Sequence, residues 1–158
     1  MTRFENLSRF AFSALVLSAL LGPALASAQQ TQAAGPTLYQ RLGGYDAIAA
    51  VTDDFIGQLA TDSTEKKFFV GLGDDSKARI RQHVVDQLCA ATGGPCIYLG
   101  RDMKTAHKGL NITEDDWKIA VNDLTASLNK FKVGQREQSE LLGALTKIKP
   151  DIVTGPAK

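Results

Sequence analysis

The apolar residues of this chain recur every third or fourth position in runs joined by glycine-marked corners. Ile48, Val51, Phe55 and Leu59 form one row, Ile80, Val84, Leu88 and Ala91 a second, and Trp117, Val121, Leu124, Leu128 and Phe131 a third. Leu141, Leu142, Leu145 and Ile148 close the series. This period is that of one face of an α-helix, and no stretch alternates long enough for a confident strand. Gly43-Gly44, Gly71, Gly73, Gly93-Gly94 and Gly134 mark the corners. The pattern predicts an all-α domain. Thr37 to Leu42 reads as a short helical turn and Glu65 to Val70 as a short segment with two adjacent phenylalanines. Asp46, Ser76 and Thr113 stand where helix caps are expected, Thr113 with Asp116 as a capping pair.

The first 28 residues read as a targeting segment. Arg3 and Arg9 precede an apolar run from Ala11 to Leu21, Pro23 breaks it, and Ala26-Ser27-Ala28 supplies the small residues a signal peptidase recognises. The run is shorter than the roughly 20 residues of a membrane span, with an uncleaved N-terminal anchor as the alternative. Removing 28 of 158 residues leaves 130, enough for one domain with its own core. Residues 29–36 read as a flexible lead-in and residues 37–154 as the domain, with no further membrane span. Arg3, Arg9 and Glu5 go with the leader, so 18 basic and 17 acidic residues become 16 and 16. That balance, with no basic tract, argues against a nucleic-acid partner. An exported, periplasmic setting makes the pair Cys89 and Cys96 candidates for a disulfide across the Gly-Gly-Pro break; two free thiols are the alternative.

The chemistry-bearing residues are few. No G-x-S-x-G turn, phosphate-binding glycine loop or HExxH is present. The acidic pairs Asp53-Asp54, Asp74-Asp75 and Asp115-Asp116 read as helix ends and solvated faces. The two histidines, His83 and His107, flank the Gly93–Gly94–Pro95 break. Two imidazoles across a small all-α core suit a planar metal cofactor, with haem the first to test. His107 comes four residues after Met103, so on a helix the two share a face and the imidazole can donate one ring N–H to a carbonyl one turn back. Met103 then offers polarisable apolar cover.

The segments LYQRLGGYDAI, VTDDF, KKFFVG and TGGPCIYLGRDMKTAHKGLNI, with the closing amphipathic helices, resemble in order the group I truncated haemoglobins. The resemblance spans Leu38 to about Val153. It implies a globin-like two-over-two helical sandwich around haem b, with His107 as the proximal iron ligand and Phe69 packed on the porphyrin. Tyr98 is a further candidate cofactor contact, and Arg79, Arg101 and Lys104 are candidate propionate partners because the haem edge carries two carboxylates, with an ordinary solvated surface role the alternative for each. The distal side departs from the family: its usual tyrosine, after the residue matching Phe55, is Ile56, and its glutamines are matched by Ile80 and Val84. Strong oxygen retention and nitric-oxide dioxygenation are accordingly in doubt. His83 and Gln87 remain as polar candidates on that helix, His83 at a position where some members place an iron-binding histidine; the alternatives are a boundary histidine facing solvent or a haem propionate, and a glutamine facing water. The expected function is binding of a diatomic gas (oxygen, nitric oxide or carbon monoxide), with an electron donor for the iron. The alternatives are a bis-histidine redox protein and a helical interaction module without haem.

Overall fold

The computed structural model describes residues 35–156. The targeting segment and most of the lead-in lie outside the described residues. Among the described residues there are seven α-helices, one 3₁₀ segment and no strand. They are α1 (Leu38–Arg41), α2 (Gly44–Thr61), the 3₁₀ segment (Glu65–Phe69), α3 (Asp74–Ala91), α4 (Met103–Ala106), α5 (Glu114–Lys130), α6 (Gln135–Thr146) and α7 (Lys149–Ile152).

The order matches the glycine-marked rows, and helix α2 is the hub. It packs against α3 on one side and α5 on the other, and also touches α1 and the 3₁₀ segment. Helix α5 continues onto α6, while α4 packs against α7. The core is drawn from the four long helices: Ile48 and Val51, Val85, Leu88 and Cys89, Leu124 and Leu128, and Leu141. Buried hydroxyls among them are satisfied locally, Thr52 Oγ1 donating to the Ile48 carbonyl at 2.8 Å and Thr92 Oγ1 to that of Leu88 at 2.7 Å. The Asp54 carboxylate joins α2 to α5 by accepting from Ser127 Oγ at 2.9 Å and from Lys130.

Two expected caps fall elsewhere. Helix α2 starts after Gly43 and α3 after Gly73, neither with a side-chain cap, so Asp46 and Ser76 lie inside the helices. Acidic residues in those first turns (Asp46; Asp74 and Asp75) still complement the helix dipole. The third cap is as expected: Thr113 and Asp116 form a reciprocal capping box on α5. The apolar rows also shift. On α3 the buried residues are Val85, Leu88 and Cys89, whereas Ile80 and Val84 are half-buried and Ala91 is exposed. Helix α3 has two apolar flanks, and α2 covers the one centred on Val85. Phe131 lies beyond the end of α5, 42% exposed, and Ile148 beyond α6.

Cys89 and Cys96 stand at disulfide distance, their Cα atoms 5.7 Å apart. Gly94 lies between them, and a Cβ there would meet Tyr39 Cδ2 at 2.5 Å and Cys89 Sγ at 2.7 Å. Only glycine lets the chain pass this close to α1 and α3.

Candidate functional site

Helix α4 is a single turn, begun by Asp102, whose carboxylate accepts from the Thr105 N–H at 2.9 Å. His107 closes it as the C-cap residue. The Met103 carbonyl receives two donors from this one residue, the His107 backbone N–H at 3.0 Å and its ring Nδ1 at 2.8 Å. A carbonyl only accepts, so Nδ1 carries the proton and Nε2 presents its lone pair. The ring is half-buried, as is Met103.

The chain between His107 and α5 is fastened at its far end from two directions. The Ile112 carbonyl accepts from the Thr154 N–H at 3.0 Å and the Gly155 N–H at 2.8 Å, which ties the segment to the end of α7. Thr113 then enters the capping box, with its backbone N–H at 2.8 Å and its hydroxyl at 2.7 Å from Asp116 Oδ2. The other oxygen of Asp116 accepts from Lys67 Nζ at 2.6 Å. Lys67 belongs to the 3₁₀ segment that ends at Phe69, so one carboxylate couples the chain after His107 to the segment bearing Phe69.

The electrostatics of this junction are unusual. Burial raises the Asp116 carboxyl, but the Lys67 ammonium and the Thr113 donors outweigh it and bring it down to about 2. Glu65 is only 4% exposed. Burial first, then the Asp116 carboxylate, pushes its carboxyl up to about 7, with Asp62 adding to the rise and Lys67 opposing it. Its Oε1 has no hydrogen-bond partner among the described residues. The periodicity singled out neither Glu65 nor Lys67. Nothing local to the sequence marks Glu65, which is buried where the 3₁₀ segment packs against α2 and α5.

The remaining candidates fall on α2, the 3₁₀ segment, α3, and the link between α3 and α4. Ile80, His83, Val84 and Gln87 are half-buried on α3, and Ile56 is half-buried on α2. Helices α3 and α4 share no extensive packing. Phe69, half-buried, helps wall an open cleft of about 650 Å³ with Ala60, Val70, Lys66, Lys67 and Lys77. None of the other candidates lines that cleft. Tyr98, in the link, donates its hydroxyl to the Arg101 carbonyl at 2.6 Å and meets the His83 ring edge-on at 5.9 Å. Arg79, Arg101 and Lys104 are exposed and form no ion pair with a described residue.

Residues 37–154 match the family model described as bacterial-like globin. The group 1 truncated haemoglobin of Mycolicibacterium paratuberculosis is 32% identical over 121 residues, covering 77% of this chain and 87% of the relative. This chain belongs to the group 1 truncated haemoglobins. The truncated haemoglobin of Tetrahymena pyriformis, solved in its Fe(III) form, superposes with a TM-score of 0.69 at 26% identity, over 75% of this chain and 98% of that one. The 2/2 haemoglobin of Synechococcus, solved in the cyanomet state with covalently attached haem, does so with a TM-score of 0.68 at 25% identity and the same coverage. The two-over-two sandwich expected from the sequence is thus the fold of this truncated haemoglobin.

A globin of this family uses haem iron, and the donor set here fits it. An imidazole held by its Nδ1–H leaves one neutral nitrogen for a metal, and Ile56, Phe69, Ile80, Val84 and Met103 are each half-buried apolar side chains.

Proposed function

We propose that this truncated haemoglobin binds a diatomic gas at the iron of haem b, with His107 as the proximal ligand. Oxygen is the first ligand to test, with nitric oxide and carbon monoxide beside it. The observation that carries the reading is the 2.8 Å contact of His107 Nδ1 with the Met103 carbonyl, which fixes the tautomer that ligation needs. When bound, haem supplies the iron centre at which the gas coordinates. The residues of the chain orient and shield that centre. Phe69 and Met103 would supply apolar contact, Ile56, Ile80 and Val84 would leave the gas side without fixed donors, and His83 and Gln87 would be its candidate polar groups. Arg79, Arg101 and Lys104, exposed and without ion-pair partners among the described residues, would meet the haem carboxylates. Haem b, rather than a thioether-linked haem, agrees with a sequence that holds no C-x-x-C-H.

The same reading includes export through the segment ending at Ala28, a Cys89–Cys96 disulfide, and a one-electron donor that returns ferric iron to the ferrous state. The bis-histidine alternative is an outcome of the same experiment. Absorption spectra of the reduced protein with and without carbon monoxide should show a Soret band that shifts on adding the gas. His107→Ala should lose that spectrum or most of its haem. A His107→Ala protein with unchanged spectrum and haem affinity would overturn the ligand assignment. A six-coordinate gas-free spectrum that His83→Leu abolishes would favour the redox reading. For the disulfide, unreduced protein from the exported fraction should weigh two hydrogens less than its dithiol form.

A further inference from the structure

The His83 ring does not stand alone on α3. Tyr98 meets it edge-to-face, with ring centroids 5.9 Å apart and planes at 70°. Tyr98 is pinned on both sides in sequence: Cys96 stands at disulfide distance from Cys89 on α3, and the Tyr98 hydroxyl donates to the Arg101 carbonyl at 2.6 Å. The phenol also lies directly over Gly100, where any Cβ would occupy its space. The flanking Ile97 and Leu99 are 75% and 83% exposed, so the link runs along the outside of the molecule. The His83 ring is therefore held against a fixed partner on an outer link.

We propose that Tyr98 is a positioning residue that parks His83 at the rim and keeps the gas side of the cofactor open. The proposal rests on the reading of His83 as the residue able to reach the iron. His83 has two alternatives, the edge of Tyr98 or the gas side of the cofactor, and the ring pair biases the first. An edge-to-face aromatic pair shifts such a two-state ratio by about two- to tenfold. The lever is the ring–ring contact; the hydroxyl bond only helps to seat that ring, so phenylalanine should keep most of the effect.

The test uses the haem-loaded ferrous protein without gas, and reads the fraction of six-coordinate, low-spin iron by absorption. Tyr98→Leu and Tyr98→Met should both raise the ratio of His83-bound to unbound iron by about two- to tenfold. Tyr98→Phe should stay within about twofold of wild type by the same argument. Adding His83→Leu to Tyr98→Leu should abolish the gain. In the carbon monoxide complex of the wild type, nuclear Overhauser contacts should connect the His83 and Tyr98 rings, a readout independent of how any variant folds. If His83→Leu changes the gas-free spectrum but Tyr98→Leu and Tyr98→Met match or fall below wild type, the positioning role is wrong and the His83 reading survives. If the gain at Tyr98→Leu persists without His83, both fall. Absence of the ring–ring contact in the wild type also overturns the proposal.

Discussion

Glu65 shows what a single buried carboxyl does to this molecule. Its ordinary value of 4.5 is pushed to about 7 in the fold, first by burial and then by the neighbouring Asp116 carboxylate. In the unfolded chain it releases its proton near 4.5, but the folded chain holds that proton to about 7. Over that window the folded state binds more protons, so stability falls as pH rises and levels off above it. Asp116 works the other way. Held down to about 2, it contributes stability that is present above 3.8 and lost as pH falls through about 2. Urea midpoints measured from about pH 5 to about pH 8 should decline for the wild type, and Glu65→Gln should flatten the decline. Equal slopes for the two proteins would show that Glu65 is already ionised in the fold.

Helix ends and corners set the next scale. The Thr113–Asp116 box begins α5 and also ends the segment that leaves His107. Thr113→Ala should cost about 1 kcal/mol of stability through the lost cap. Because Asp116 also holds Lys67, Asp116→Ala should cost more and should speed haem loss, measured by transfer to an apoglobin acceptor. Thr113→Ala and Asp116→Ala with identical haem-loss rates would mean the Lys67 link does not reach the cofactor. At the Gly-Gly-Pro corner, Gly94→Ala would drive its Cβ into Tyr39 and Cys89, side chains packed in or against the core. Overpacking of this kind costs about 1–3 kcal/mol, to be read as a lowered denaturation midpoint. An unchanged midpoint would mean that α1 yields at no cost.

At the scale of the whole molecule, the chain is closed on itself at two places. One is the backbone pairing of Thr154 and Gly155 with Ile112, which brings the end of the domain back to the segment after His107. The other is the Cys89–Cys96 pair at disulfide distance, where a bond would close a loop of sequence separation 7 between α3 and the outer link. For so short a loop, cross-linking stabilises by about 2–3 kcal/mol in the chain-entropy account. Reduction with dithiothreitol should therefore lower the thermal midpoint of the wild type by several degrees and leave a Cys89→Ala, Cys96→Ala variant unmoved. A wild type indifferent to reduction would mean that the two cysteines are thiols.

The three-and-four spacing, the glycine corners and the Met103–His107 offset sufficed to place the long helices and to point at His107, because each is local along the chain. Helix starts were less legible: Gly43 and Gly73 act through backbone geometry alone, so the polar residues nearby, Asp46 and Ser76, drew the expectation instead. Which flank of α3 is buried could not be local either. Ile80, Val84 and Val85 are all apolar, and only the position of α2 selects Val85 for full burial and leaves the other two half-buried. The junction of Glu65, Lys67 and Asp116 spans some fifty residues of sequence, Lys67 and Asp116 alone being 49 apart. Its buried glutamate, its depressed aspartate and the seat of His83 on Tyr98 exist only once tertiary packing excludes water and brings distant charges and rings together.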